Sequence, residues 1–199
     1  MKSNASLGAV CAALLFAAPS AQALTLTSTS LGGNDNNGVV IGASTLGVDV
    51  GLRNFSPATF TFSRTVGSAA AYSFSSVIDN LIGFPFGSVS VSLLGGATFT
   101  NTGSVTPGFG TVSSIALMPA VGTTSLTVAF GATGEPFGVN IGNPFDTAGL
   151  SNWTVLLGNT DRFTVAFDAN PTAIPVPGGL ALLLSGLAGF GVLSRRRKA

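Results

Sequence analysis

The sequence contains no histidine, and its single cysteine, Cys11, lies in the leading apolar segment. Without those side chains the chain cannot build a Ser-His-Asp triad. Once the leader is removed it has no Cys-His nucleophile, no Cys/His zinc site and no disulfide. The low cysteine count therefore says nothing about redox compartment. Tryptophan and tyrosine are almost as scarce, with one of each against fifteen phenylalanines. Phenylalanine packs readily into cores and stacks poorly on sugars compared with Trp. Trp153 and Tyr72 are therefore the only candidates for a sugar-stacking platform, and each is expected instead in the core or at its boundary. Charge is short too. Only 8% of residues are charged, far below the usual quarter or so.

The few charges are unevenly distributed. Lys2 stands near the start, and Arg195, Arg196, Arg197 and Lys198 close the chain. Between them, Arg53, Arg64 and Arg162 face seven acids (Asp35, Asp49, Asp79, Glu135, Asp146, Asp161, Asp168). A weakly acidic body without a basic stripe argues against nucleic acid as a partner, because phosphates must be neutralised by clustered Lys and Arg. The acids formally leave room for a glycosidase pair. None sits in a recognisable acid/base context, however, and most fall at turns, so no catalytic residue is assigned and the chain is expected not to be an enzyme.

Residues 1–23 have the parts of a secretory signal peptide. Lys2 supplies the positive region, residues 7–18 the apolar run, and Pro19-Ser20 the break. Ala21 and Ala23 place small side chains at −3 and −1, as the shallow pockets of signal peptidase require. Cleavage is expected after Ala23, leaving Leu24 first. At the other end, Ile174-Pro175-Val176-Pro177-Gly178-Gly179 is stiffened by two prolines and cannot be helical. An apolar run follows, and residues 178–194 would make roughly 25 Å of helix. That is slightly short of a bilayer's hydrocarbon core of about 30 Å, a gap that snorkelling arginines and local thinning can close. The cluster at 195–198 should stay cytoplasmic, which places residues 24–174 outside.

This layout resembles the PEP-CTERM family of bacterial sorting tails, in which a short proline signature precedes an apolar helix and a terminal basic cluster. Ile174-Pro175-Val176-Pro177-Gly178-Gly179-Leu180, with Leu182-Leu183-Leu184-Ser185-Gly186-Leu187-Ala188-Gly189, is most similar to the VPLPA-type variant. Val176 stands where the commoner form has Glu, and Gly178 where the variant has Ala. The resemblance implies a Gram-negative bacterium, Sec-dependent export and an exosortase-type membrane enzyme reading Pro175, Val176, Pro177 and Gly178 with the basic cluster. It also implies release to, or retention on, the cell surface together with exopolysaccharide. The segment Asn54-Phe55-Ser56-Pro57-Ala58-Thr59-Phe60-Thr61-Phe62 is similar to a Phe-rich early strand of some members, and it reads as a core strand.

Residues 24–170 alternate apolar and polar with period two, which puts one face of each strand in a core. Phe60/Phe62, Val89/Val91/Leu93, Leu126/Val128/Phe130 and Phe163/Val165/Phe167 are the inward sets. Weaker strands are expected over 24–30, 45–53, 71–78, 111–118 and 153–157. Turns are expected at 32–38, 83–85, 106–108 and 131–144, where Gly, Asn and Pro cluster. The expected fold is all-β, a single antiparallel, jelly-roll-like β-sandwich over 24–170. It is flanked by the signal helix (1–23) and by a linker and tail (171–199) containing a transmembrane helix. Outward positions are Ser and Thr rather than Lys and Glu, so few charges guard the edge strands.

Asn34-Asp35-Asn36-Asn37-Gly38 resembles part of a calcium loop. It holds one carboxylate and no trailing Glu, which favours a simple turn, and no cofactor is expected. The expected function is that of an exported surface or matrix protein with a structural or adhesive β-domain. A carbohydrate-binding module, or an exported hydrolase, is the alternative.

Overall fold

The computed structural model describes residues 24–65, 68–118, 123–143 and 151–172. These residues form thirteen strands and, among them, no helix. In chain order the strands are β1 (Thr25–Ser30), β2 (Asp35–Ile41), β3 (Thr45–Leu52), β4 (Ala58–Ser63), β5 (Ala71–Asn80), β6 (Phe86–Leu94), β7 (Thr98–Asn101), β8 (Val105–Pro107), β9 (Val112–Met118), β10 (Ser125–Phe130), β11 (Gly138–Ile141), β12 (Trp153–Leu156) and β13 (Arg162–Pro171). The protein is all-β, with two antiparallel-rich sheets.

The six-stranded sheet runs β1-β4-β13-β6-β10-β9 and is antiparallel throughout. Its inward positions are the alternating sets expected from the sequence. Phe60, Phe62, Val89, Val91, Leu93, Phe163, Val165 and Phe167 all have 1% or less of their surface exposed. Burial of each such side chain stabilises by roughly 1.5–3 kcal/mol. Phe62 and Phe163 are cross-strand partners with stacked rings 5.4 Å apart, and Phe60 meets Phe167 edge-on at 5.8 Å. On the outer face, Thr61 bonds Thr164 at 2.9 Å, Ser90 bonds Thr127 at 2.8 Å and Ser92 bonds Ser125 at 3.1 Å. Each of these hydroxyl pairs lies directly across two neighbouring strands, where a pair contributes on the order of 0.2–1 kcal/mol.

The seven-stranded sheet begins β2-β3-β5 and then forks. Residues 76–79 of β5 pair with β11, which carries β8, while residues 71–74 pair with β12, which carries β7. The β3/β5 pair is parallel, so the expected antiparallel arrangement holds for every pairing but this one. Connectivity explains the exception. The chain leaves β3, returns along β4 in the other sheet, and starts β5 in the direction β3 had taken, as a parallel pair requires of its crossover. Leu46, Val48, Val50, Phe74, Ile78, Trp153 and Val155 point inward and share one core cluster with the inner face of the six-stranded sheet.

Three expected turns hold short or irregular strands. β2 starts at Asp35, inside the expected 32–38 turn, with a register shift between Asn36 and Gly38. β8 includes Thr106 and Pro107, and β11 lies within 131–144. Their backbones are held by ladder bonds (β2 to β3, β11 to β5, β8 to β11) that local propensity does not encode.

Tyr72 is fully buried opposite Val155, and its hydroxyl has no hydrogen-bond partner among the described residues. A buried hydroxyl of this kind costs about 1–3 kcal/mol relative to a satisfied one. Tyr72→Phe is therefore expected to raise the urea midpoint with an unchanged m-value, a gain of about 1 kcal/mol. A lowered midpoint would mean that the hydroxyl has a stabilising partner.

Candidate functional site

The directions of the strands bring several connections to one end of the two sheets. β3 and β5 both finish there, with Leu81 N donating to Leu52 O at 2.8 Å. β6 starts there, β13 ends there paired with it, β8 ends and β11 begins there. Glu135 lies at the centre. Its backbone exchanges two 2.9 Å hydrogen bonds with Phe86. Its carboxylate accepts four more from backbone amides: Oε2 from Phe109 (3.0 Å) and Gly110 (2.7 Å), Oε1 from Phe137 (2.9 Å) and Gly138 (3.2 Å). Asn80 closes the cluster, its Nδ2 donating to Phe84 O (2.8 Å) and Glu135 O (3.0 Å).

Glycine is needed for this closeness. A Cβ on Gly110 would lie 2.5 Å from Gly134 O. Gly134, at φ +68°, would meet Phe86 O, Pro85 and Thr172. Pressed together in this way, the two turns present Phe109 and Phe137 outward, 76% and 65% exposed, with rings edge-to-face at 5.9 Å. Beside them Phe84 is 57% exposed. It borders an apolar groove of about 210 Å³ with Phe55, Pro85, Pro171 and Thr172. Folding gives no reason to hold large aromatic rings in water on fixed turns, and such patches mark contact sites.

Burial pushes the Glu135 carboxyl upward, but the hydrogen bonds from Phe109, Phe137, Gly110 and Gly138 outweigh it and hold the group below the ordinary value of 4.5. Glu135 is thus a carboxylate that organises backbone and is unsuited to giving a proton. It is the only charged residue buried among the described residues.

Other candidates fall out differently. Trp153 and Tyr72 are completely buried, and the Trp153 indole donates to Ser104 O at 3.1 Å, so neither displays a ring to a sugar. In the 34–38 loop, Asn34 is buried and serves as a staple. Its Oδ1 accepts from Arg53 N (2.8 Å) and Asn54 N (3.1 Å), and its Nδ2 donates to Ser56 O (2.7 Å). Asp35 pairs with Arg53 at 2.7 Å, and Asn36 Oδ1 accepts from Gly38 N. These oxygens are engaged by the protein itself, as in a turn. No group of three or more Asp, Glu, Cys or His capable of holding a metal occurs among the described residues. A polar cleft of about 420 Å³ lies on the outer side of the forked sheet, lined by Ser104, Thr106, Asn140, Asn143 and Ser151.

The cleavage residues Ala21 and Ala23, and the tail residues Pro175, Val176, Pro177, Gly178, Arg195, Arg196, Arg197 and Lys198, lie outside the described residues. Among the described residues no helix is long and apolar enough to cross a membrane; the expected span at 178–194 is not among them. The aromatic end is hidden in the sequence because 106–108 and 131–144 read there only as turns. The available signal was phenylalanine set among glycines and prolines, in Gly108-Phe109-Gly110 and Glu135-Pro136-Phe137-Gly138, outside any alternation. No protein family, curated protein or solved structure matches the chain.

Glu135→Gln replaces an acceptor oxygen by a donor amide facing two backbone N–H groups. The expected cost is roughly 2–4 kcal/mol. Because the folded-state pKa is lowered, the stability contributed by ionised Glu135 is fully present above the ordinary value of 4.5 and is lost as pH falls through the folded-state value. The wild type should therefore lose stability on acidification below that point more steeply than Glu135→Gln, as measured by denaturant midpoints across the acid range. Equal slopes would show that the carboxylate is not the group responsible.

Proposed function

We propose that the chain is an exported bacterial surface or extracellular-matrix protein of the PEP-CTERM sorting type. Residues 1–23 are its signal peptide and residues 171–199 its linker and tail, with a membrane helix at about 178–194 and a basic stop at 195–198. Signal peptidase and the Sec machinery handle the front, and an exosortase-type enzyme reads the tail. The protein is held in the membrane transiently and then passes to the cell surface or medium. Its body, a jelly-roll-like sandwich, has a structural or adhesive role within exopolysaccharide and no catalytic one.

The observation that carries the role of the body is the outer face of the six-stranded sheet. There hydroxyls pair with hydroxyls across strands and charges are few. Such a face can exchange hydrogen bonds with a hydroxyl-rich polymer without desolvating ions. It keeps the domain hydrated while leaving weak, repeated contacts available. The delivery reading rests on the order of proline signature, apolar run and basic cluster after Thr172.

A second reading, a carbohydrate-binding module, is favoured by one feature, the polar cleft around Ser104, Thr106 and Asn140. In that case a glycan array should give discrete hits that Asn140→Ala removes. Weak retention on many acidic or neutral polysaccharides, unaffected by Asn140→Ala, is the result expected of the adhesive face.

Delivery is tested by fractionating cells that express the full chain or a chain ending at Thr172. The full chain is expected to pass through a membrane-associated pool and reach the surface, and the truncated chain to remain soluble after export. Identical distributions among membrane, surface and medium would overturn the sorting reading.

A further inference from the structure

We infer that the aromatic end of the domain, bearing Phe84, Phe109 and Phe137, rests on the surface of the lipid bilayer while the tail is inserted. This inference rests on the proposed membrane insertion of the tail and adds the orientation of the body.

The first argument is where the chain leaves the fold. Thr172 N donates to Pro85 O at 3.2 Å, so the exit is tied to the turn that carries Phe84. Gly178, the start of the apolar run, lies six residues further on. Even fully extended, that stretch spans only about 20 Å. With the run in the membrane, the aromatic end is therefore held within about 20 Å of the headgroups.

The second argument is composition. All three exposed phenylalanines among the described residues, Phe84, Phe109 and Phe137, are gathered at this end, with Leu81 46% exposed beside them. Leu94, itself 53% exposed, ends β6 at the far end of the domain. Phenylalanine and leucine are side chains that enter the boundary between headgroups and acyl chains, to a depth of about 5–10 Å.

Third, among the described residues this end offers no basic patch to an anionic partner. Arg53 is paired with Asp35 at 2.7 Å, Asp79 accepts from Asn37 Nδ2 at 2.9 Å, and the Glu135 charge is buried beneath the rings. Attachment by this end is apolar, and it should tolerate salt better than attachment through a basic patch would.

Fourth, the rings are held in place beforehand. Four amide hydrogen bonds to one carboxylate fix both turns, so little ordering entropy is lost when the rings enter lipid.

The test uses the full-length chain reconstituted in vesicles of phosphatidylethanolamine and phosphatidylglycerol, with and without bromine on the acyl chains. Three variants carry a reporter: Phe109→Trp, Phe137→Trp and Leu94→Trp. Trp153 is buried in the core and gives the same background in all three. Flotation with the vesicles reads the tail. Quenching by bromine reads which end faces lipid.

The expected result is flotation of all three variants, with quenching at positions 109 and 137 about twofold or more above that at 94 and unchanged in high salt. Flotation with equal quenching at all three positions overturns the orientation and leaves the tail reading standing. Failure to float removes the tail reading, and the orientation with it. Blue-shifted emission at 109 and 137 that depends on protein density and not on bromine identifies a second copy of the chain as the occupant, and also overturns the inference.

Discussion

A single carboxylate connects the parts of the molecule that would otherwise be independent loops. The Glu135 side chain draws the turn at 108–110 and the turn at 136–138 onto one point, while its backbone locks to Phe86 at the start of β6. Burying an ion is costly, by several kcal/mol if nothing compensates. Here four charge-assisted hydrogen bonds compensate, and each is stronger than a neutral one. No cation is used. In a chain with so few charges, backbone N–H groups are the abundant donors, and a carboxylate among glycines can reach four of them. The aromatic turns, the start of β6 and the first pairing of β11 with β5 meet at this cluster, and the exit of β13 is tied to the adjoining Pro85.

The same shortage of charge shapes the outer faces. A half-buried antiparallel sheet usually turns charged side chains to water. This one turns Ser and Thr, which satisfy one another across strands: Thr61 with Thr164, Ser90 with Thr127, Ser92 with Ser125. Short hydroxyl side chains lose little rotamer entropy on pairing. The surface they make is hydrated yet nearly free of long-range repulsion, and its edge strands β1 and β9 contain no charged residue. That is a hazard in a crowded cytosol. For a proposed constituent of an extracellular matrix, mild self-adhesion is tolerable.

The legibility of the fold in the sequence followed the strength of alternation. Phe60/Phe62, Val89/Val91/Leu93 and Phe163/Val165/Phe167 announced β4, β6 and β13 because each strand has one wet and one dry face. β11 and β8 were not announced. They are four and three residues long, and Gly138 and Pro107 within them are turn formers held straight by neighbours. The parallel β3/β5 pair could not be read either, since it depends on a return path through the other sheet. Of the site, Glu135 was visible only as one acid in a turn. Its role arises from four amides up to 26 residues away, and no local pattern encodes that meeting. Tyr72 and Trp153 looked like candidates for sugar contact only by scarcity, and both belong to the core.

Polarity along the strand axis joins the fold to the proposed route. Leu24 is tucked into the core at the end opposite the aromatic turns, since Thr25 pairs with Ser63, whereas the chain leaves beside Phe84 through Thr172. A domain entered at one end and left at the other can be threaded outward by its leader and still keep its exit toward the membrane. On the proposed reading, the tail would supply the hold, and the aromatic turns would add a second apolar contact adjoining the chain's exit at Thr172. Two apolar contacts joined by a six-residue connection reinforce each other through their high effective concentration. Removal of the tail would leave only the turns, a contact too small to retain the domain for long. If the tail is cleaved as proposed, that step alone would release the body from the membrane.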